Sequence, residues 1–230
     1  MKRPPARDVP YHALLGLFRS AHACPICEAE SEHVRRSLAW LFYESVNDPD
    51  VRHDLLQRRG FCRRHASTVL ELEGVDVVGK ALVYQDQVAA FIDFLPSLSH
   101  ASRRRGTSAL AREWTAHKSC PACAQERECG DSHLRLLLSR LDDSEVRQAF
   151  EESPVLCVPH FIAAITLAEQ EVAKRYLVEV QQRKASRLLA ELREFCRKHD
   201  YRFAHEAFGS ERDSWGRAIQ MMTGNSRERS

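Results

Sequence analysis

What this sequence lacks narrows it first. Glycine and proline number nine each in 230 residues, too few for a loop-rich or all-β chain. No segment alternates apolar and polar residues as a half-buried strand would. No apolar run approaches the roughly 18 residues that cross a bilayer, so no membrane span is expected. The N-terminus offers a basic start, an apolar ALLGLF and an AHAC that imitates a cleavage site. Six apolar residues fall short of the usual signal core of about 7–15, and Arg19 interrupts the approach to Cys24. An excess of one charge is missing too: the formal net charge is +2, which gives a polyanion or an anionic surface little to hold. A glycine-rich phosphate loop, a G-x-S-x-G elbow and an H-E-x-x-H pair are also absent. What remains abundant is Ala, Leu, Glu, Arg and Gln, all helix formers, with 43% hydrophobic residues for a core. The expectation is an all-α, cytoplasmic protein.

Cysteine is the residue present in quantity: eight, at 24, 27, 62, 120, 123, 129, 157 and 196. In a cytoplasmic chain such a number signals metal or redox chemistry more than disulfides. Six of them form a pattern used twice. CPIC at 24–27 is followed by CRRH at 62–65, and CPAC at 120–123 by CVPH at 157–160. Cys27 to Cys62 is 35 positions and Cys123 to Cys157 is 34. Between them, Asp48-Pro-Asp-Val-Arg52 matches Asp143-Ser-Glu-Val-Arg147 at a shift of 95, which also carries Cys62 onto Cys157 and His65 onto His160. The CPxC pairs need a shift of 96, so one long helix differs from its counterpart by one residue. Two copies of about 75 residues suggest pseudo-twofold halves. The expected division is 1–98 for the first copy, 99–113 for a linker holding Arg103–Arg105, 114–199 for the second copy and 200–230 for a tail.

Apolar spacing predicts helices near 10–22, from CPIC to about Asn47, 50–58, 62–72 and 75–95, the last stopping near Pro96. Gly60 should cap the third of these. The second copy predicts helices near 121–141, 144–152, 158–169 and 171–199. Trp215, Ala218, Ile219 and Met222 mark one apolar face of a last helix.

Each cysteine motif therefore falls at a helix start. Proline is harmless in a first turn, and that turn's free N–H groups stabilise thiolates. Two helix ends with two ligands each make a Cys3His tetrahedron, a closed donor set suited to Zn²⁺. Metal ligands are thus expected at Cys24, Cys27, Cys62 and His65 and at Cys120, Cys123, Cys157 and His160, holding two zinc ions per chain. The helix ends, with Arg63 and Arg64 in one copy and Lys118 in the other, would offset the thiolate charge. Shorter loop closure favours pairing within a copy; CPIC with CVPH is the alternative. Three thiolates and a histidine also suit an iron–sulfur cluster, CPxC also serves thiol–disulfide exchange, and free cysteine is often simply buried.

The order CPxC … NDP … GFCxxH, a second CPxC and a tail like HDYRFAHE…G…DSW resembles a bacterial family known only as a domain of unknown function. The resemblance runs from Cys24 to about Ala218 and implies no activity. VLCVPH stands where the first copy reads GFCRRH, so the two sites are expected to differ.

Two function classes are open to such a chain. In one, zinc is structural and the surface binds a protein partner; nucleic acid is conceivable but nothing in the charge supports it. In the other, an enzyme or iron–sulfur redox protein works from the same cysteines or from the tail, where His199, Asp200, His205, Glu206, Glu211 and Asp213 gather. The plainer reading of that tail is a polar loop whose Tyr201, Phe203, Phe208 and Trp215 dock the C-terminus. Cys129 and His33 stand at matching places as candidate supports for the ligands, and Cys196-x-x-His199 imitates CRRH without a partner pair.

Overall fold

The computed structural model describes residues 8–99, 106–115, 120–203 and 205–224. Among them there is no strand. The helices are α1 (Val9–Ser20), α2 (Pro25–Trp40), α3 (Pro49–Gln57), α4 (Arg63–Glu71), α5 (Val77–Ser99), α6 (Thr107–Thr115), α7 (Pro121–Ser139), α8 (Ser144–Glu152), α9 (Val158–Leu167), α10 (Glu171–Lys198) and α11 (Ser214–Thr223). The chain is all-α, as its composition demands.

The matched segments DPDVR and DSEVR start matched helices. Asp48 accepts the Asp50 N–H at 2.9 Å at the head of α3. Asp143 accepts those of Glu145 and Val146 at 2.8 and 3.2 Å at the head of α8. Each carboxylate satisfies first-turn donors that the helix itself leaves open. The one-residue difference between copies also has a place. α2 runs on into a π-helical turn, Leu41–Ser45, whereas α7 reaches Ser139 as a regular helix. A π turn widens the ring by one residue and so absorbs the extra residue without disturbing the start of α3. Gly79 of α5 lies against this turn: a Cβ there would stand 2.9 Å from the Phe42 carbonyl oxygen and 3.1 Å from Val46 Cγ1.

Three expectations need correction. Pro96 does not end α5, which continues to Ser99; the Ser97 and Ser99 hydroxyls donate to the Phe94 and Pro96 carbonyls of that last turn. Gly60 is not the first left-handed residue after α3. Arg59 takes φ 62° ahead of Gly60 at 71°, and their N–H groups close onto Leu56 and Leu55 at 3.1 and 2.8 Å. The Arg59 guanidinium lies 3.9 Å from the centre of the Trp114 ring. Finally, residues 107–113 of the expected linker belong to α6, which precedes CPAC as α1 precedes CPIC; Arg103–Arg105 lie outside the described residues.

By packing, the chain divides into two compact units. Of the described residues, one unit takes those of 8–31 and 128–224, and the other those of 32–127. The division falls within α2 and within α7. The first unit's core joins Tyr11, Leu14 and Phe18 of α1 to Leu134, Leu137, Phe150, Leu156 and Leu177. The core of Glu32–Arg127 joins Val34, Leu38, Phe42, Leu55, Phe61, Val69 and Val83. In each case cysteine sulfurs form part of the core: Cys24, Cys27 and Cys157 in the first, Cys120 in the second. No described helix is long and apolar enough to cross a membrane.

Candidate metal centres

The four cysteines that begin motifs all sit at helix entries. The carbonyls of Cys24, Cys62, Cys120 and Cys157 accept the N–H four residues on, at 3.2, 2.8, 3.3 and 2.8 Å. Cys62 and Cys157 are extended there, with ψ 164° and 155°. Their side chains thus project beyond the helix while the second ligand, three residues later, shares the same face. Pro25 and Pro121 open α2 and α7, and Pro159 stands in the first turn of α9, where a missing N–H costs nothing.

The helix ends meet in pairs, but not within a copy. Cys24 and Cys27 meet Cys157 and His160, and Cys120 and Cys123 meet Cys62 and His65; in each group one ligand atom per residue lies within 4.8 Å of the others. The expectation that loop closure would hold pairs together within a copy is overturned. CPIC packs in the same unit as CVPH, and GFCRRH in the same unit as CPAC. Loop-closure entropy grows only as the logarithm of loop length, so the extra span costs little against burial of two cores.

The first centre has its His160 Nδ1 at 3.6, 3.4 and 3.1 Å from the sulfurs of Cys24, Cys27 and Cys157, and the Cys27 and Cys157 sulfurs 3.6 Å apart. The second has His65 Nδ1 at 3.4, 3.4 and 3.3 Å from Cys62, Cys120 and Cys123, with Cys62 and Cys123 sulfurs again 3.6 Å apart. A tetrahedron built on metal–sulfur bonds of about 2.3 Å and a metal–nitrogen bond of about 2.0 Å has edges of about 3.8 Å (S···S) and about 3.5 Å (S···N). The observed spacings fit those edges. They are far from the roughly 2.05 Å of a disulfide, and all eight cysteines stand outside disulfides. The donor set of three sulfurs and one nitrogen leaves no open position.

Electrostatics argue for a cation. Three thiolates this close repel one another, so without an ion the clusters must hold protons unevenly. Hydrogen bonding from Cys157 and Cys27 drives the Cys24 thiol far below its usual range. Burial and the Cys62 sulfur push Cys123 up to about 12. Burial pulls His160 down, but Cys157, Cys24 and Glu30 outweigh it and carry it up to about 12. His65 is lowered, by burial and by the Arg64 charge beside it.

Sequence reading missed the glutamates that stand behind the imidazoles. Glu30 Oε1 lies 3.0 Å from His160 Nε2, and Glu126 Oε2 lies 3.7 Å from His65 Nε2. Each glutamate stands three residues after its CPxC, so the recurring motif is CPxC-x-x-E. That signal was present in CPICEAE and CPACAQE. Each glutamate faces the histidine of the other copy and leaves Nδ1 aimed at the sulfurs. Gly130 makes room for Glu30, since a Cβ there would collide with its carboxylate. Glu126 is shared with Arg64, which grips it through both guanidinium nitrogens. Replacing Glu30 by Ala is therefore expected to weaken metal binding at the first centre by about 10–100-fold. Glu126→Ala should cost the second centre less. Competition with a chromophoric chelator measures both, and a larger loss for Glu126→Ala contradicts the assignment.

Other expected groups fall elsewhere. The Cys129 sulfur lies 3.6 Å from His133 Nδ1 and 3.8 Å from the Ala29 carbonyl, outside the ligand clusters. Lys118 lies outside the described residues. In the tail, Glu206 pairs with Arg197, Glu211 with Lys198 at 2.7 Å, Asp200 with Arg202 at 2.6 Å and Asp213 with Arg217 at 2.8 Å. His199 packs against the Phe195 and Phe208 rings. Among the described residues, these tail groups do not converge on a metal site. Of the aromatics expected to dock the tail, Phe208 packs on the Phe195 ring of α10 at 5.7 Å and Phe203 lies 4.4 Å from the Arg197 guanidinium, whereas Tyr201 and Trp215 are 86% and 55% exposed. The predicted apolar face of α11 is turned outward, with Ile219 and Met222 also exposed. Buried Ser214 and Gly216 let that helix approach instead. Its capping Gly224, at φ 85°, reaches the first centre, where a Cβ would stand 3.6 Å from the Cys27 sulfur and 3.8 Å from that of Cys157.

A family model described as "Family of unknown function (DUF6062)" matches residues 13–229. An "Uncharacterized 23.9 kDa protein in xynA 3′region" of Caldicellulosiruptor sp. (strain Rt8B.4) is 27% identical over 208 residues, covering 87% of this chain and 95% of its own length. No solved structure matches.

Proposed function

Since the chain belongs to this family of unknown function, whose description assigns no activity, we propose from its own geometry that it is a zinc-stabilised helical interaction protein. Each compact unit is clasped by one structural Zn²⁺ in a Cys3His set. The observation that carries this reading is the double occurrence of a closed four-donor cluster with a glutamate behind its imidazole, at 3.0 Å in the first centre and 3.7 Å in the second. Zinc suits it better than iron because the set is four-coordinate, thiolate-rich and without an open position. Cytoplasmic residence accords with eight cysteines that stand outside disulfides.

A protein is the partner we favour. Val88, Phe91, Ile92 and Leu95 form an exposed apolar stripe on α5, and Trp215, Ile219 and Met222 form another on α11. Such stripes suit burial against another chain. The centres themselves have no vacant coordination site for a substrate. The test is elemental analysis of washed, purified protein together with its absorption spectrum. The expected result is two zinc ions per chain and a colourless solution. A brown solution with iron and visible absorption overturns the reading, as does folded protein with no metal.

A further inference from the structure

The two centres are built from corresponding residues, yet their corresponding sulfur pairs meet solvent differently. In the first, Cys27 and Cys157 are 7% and 0% exposed, and the backbone of Gly224 lies over them. In the second, the equivalent residues Cys123 and Cys62 are both only half-buried. Their sulfurs are 3.6 Å apart, the same separation as in the first pair. The imidazole backing differs as well. His160 has Glu30 at 3.0 Å, while His65 has Glu126 at 3.7 Å, held by the half-exposed Arg64. The tail that covers the first centre lies outside the duplicated pattern.

Resting on the reading of both clusters as zinc centres, the geometry points to Cys62 and Cys123 as an oxidative modification site. Its reactant is hydrogen peroxide, and its outcome is a Cys62–Cys123 disulfide with release of that centre's ion. One thiolate attacks a peroxide oxygen, the O–O bond breaks, and hydroxide leaves with the electron pair, giving a sulfenic acid. The second thiolate attacks that sulfur, the S–S bond forms, and a second hydroxide departs. Two thiolates have lost two electrons and the peroxide has gained them. Drawing the sulfurs from 3.6 Å to about 2.05 Å needs side-chain rotation at the head of a helix. Cys120 and His65 alone then remain, too few to hold zinc. Reactivity of this kind needs thiolate and access together; zinc ligation holds both pairs as thiolates, and only the second pair is also open to solvent.

The test uses full-length protein carrying Cys196→Ser, since Cys196 is itself exposed. Its zinc is counted before hydrogen peroxide is added. A colorimetric zinc indicator then follows release, and peptide mass mapping locates the bridges. The expected result is one ion released at least about ten times faster than the other, with a Cys62–Cys123 bridge and with Cys24, Cys27 and Cys157 still reduced. Equal release rates, earlier loss from the first centre, or a Cys27–Cys157 bridge overturns the inference. Protein that begins without zinc defeats the metal reading instead, and the bridge map still decides which sulfur pair oxidises.

Discussion

Replacing Cys24 and Cys62 by serine in one chain is expected to strip both metal ions, whereas replacing Cys24 and Cys157 is expected to remove only one. The first pair lies in one sequence copy but in two centres; the second lies in two copies but in one centre. Pairing within a copy predicts the opposite outcome. Each single variant should fall from two ions to one. Adding Cys157→Ser to Cys24→Ser should then cost little more, because the members of one cluster act as a unit and their effects do not add. Adding Cys62→Ser should cost as much again. The effect on stability is large by any comparison. A structural zinc contributes apparent binding energies of about 10–16 kcal/mol in zinc-finger peptides, against a net stability of about 5–15 kcal/mol for a typical domain. Metal analysis of the three single and two double variants and their thermal melts decide it. Two retained ions in the Cys24/Cys62 double variant would end the crossed assignment.

Chelation should act as a denaturant on the intact protein. Removing both ions is expected to abolish the cooperative melt and cut the helical circular dichroism, with recovery when zinc is returned. The reason lies in where the ligands sit. Cys24, Cys27 and Cys157 are built into one core and Cys120 into the other. An emptied cluster leaves three sulfurs and an imidazole crowded in apolar surroundings, where unpaired charge is costly. Acid should make removal easier. The ligands bind as thiolates and neutral imidazole, so protons compete with the metal and affinity falls as pH falls. Isothermal chelator titrations at two pH values, followed by circular dichroism, test this. Apo protein that keeps its melting temperature contradicts a structural role.

The range of the forces involved sets how much of the molecule is legible in its sequence. Helix starts at Cys62, Pro121, Ser144 and Val158 were readable because capping and proline act within one turn. The eight ligands were readable because CxxC and CxxH set two donors on one helix face. Glu30 and Glu126 were equally local and went unread, since a glutamate on an amphipathic helix looks like solvent-facing charge until its histidine is in place. The orientation of α11 was misread for a related reason. Its apolar stripe suggested burial, but small Ser214 and Gly216 allow closer packing than Trp215.

The amino-acid order alone determined that this chain is helical, that it holds two sets of sulfur and imidazole donors, and that each donor pair crowns a helix. Tertiary structure alone decided which crowns face each other, which glutamate stands behind which imidazole, and that Gly224 shelters one centre and leaves its counterpart half open. The difference is physical. Donors three residues apart are joined by one turn of backbone, whereas Cys24 and His160 are brought together by the packing of α1, α2, α7, α8, α9 and α10 around a shared core.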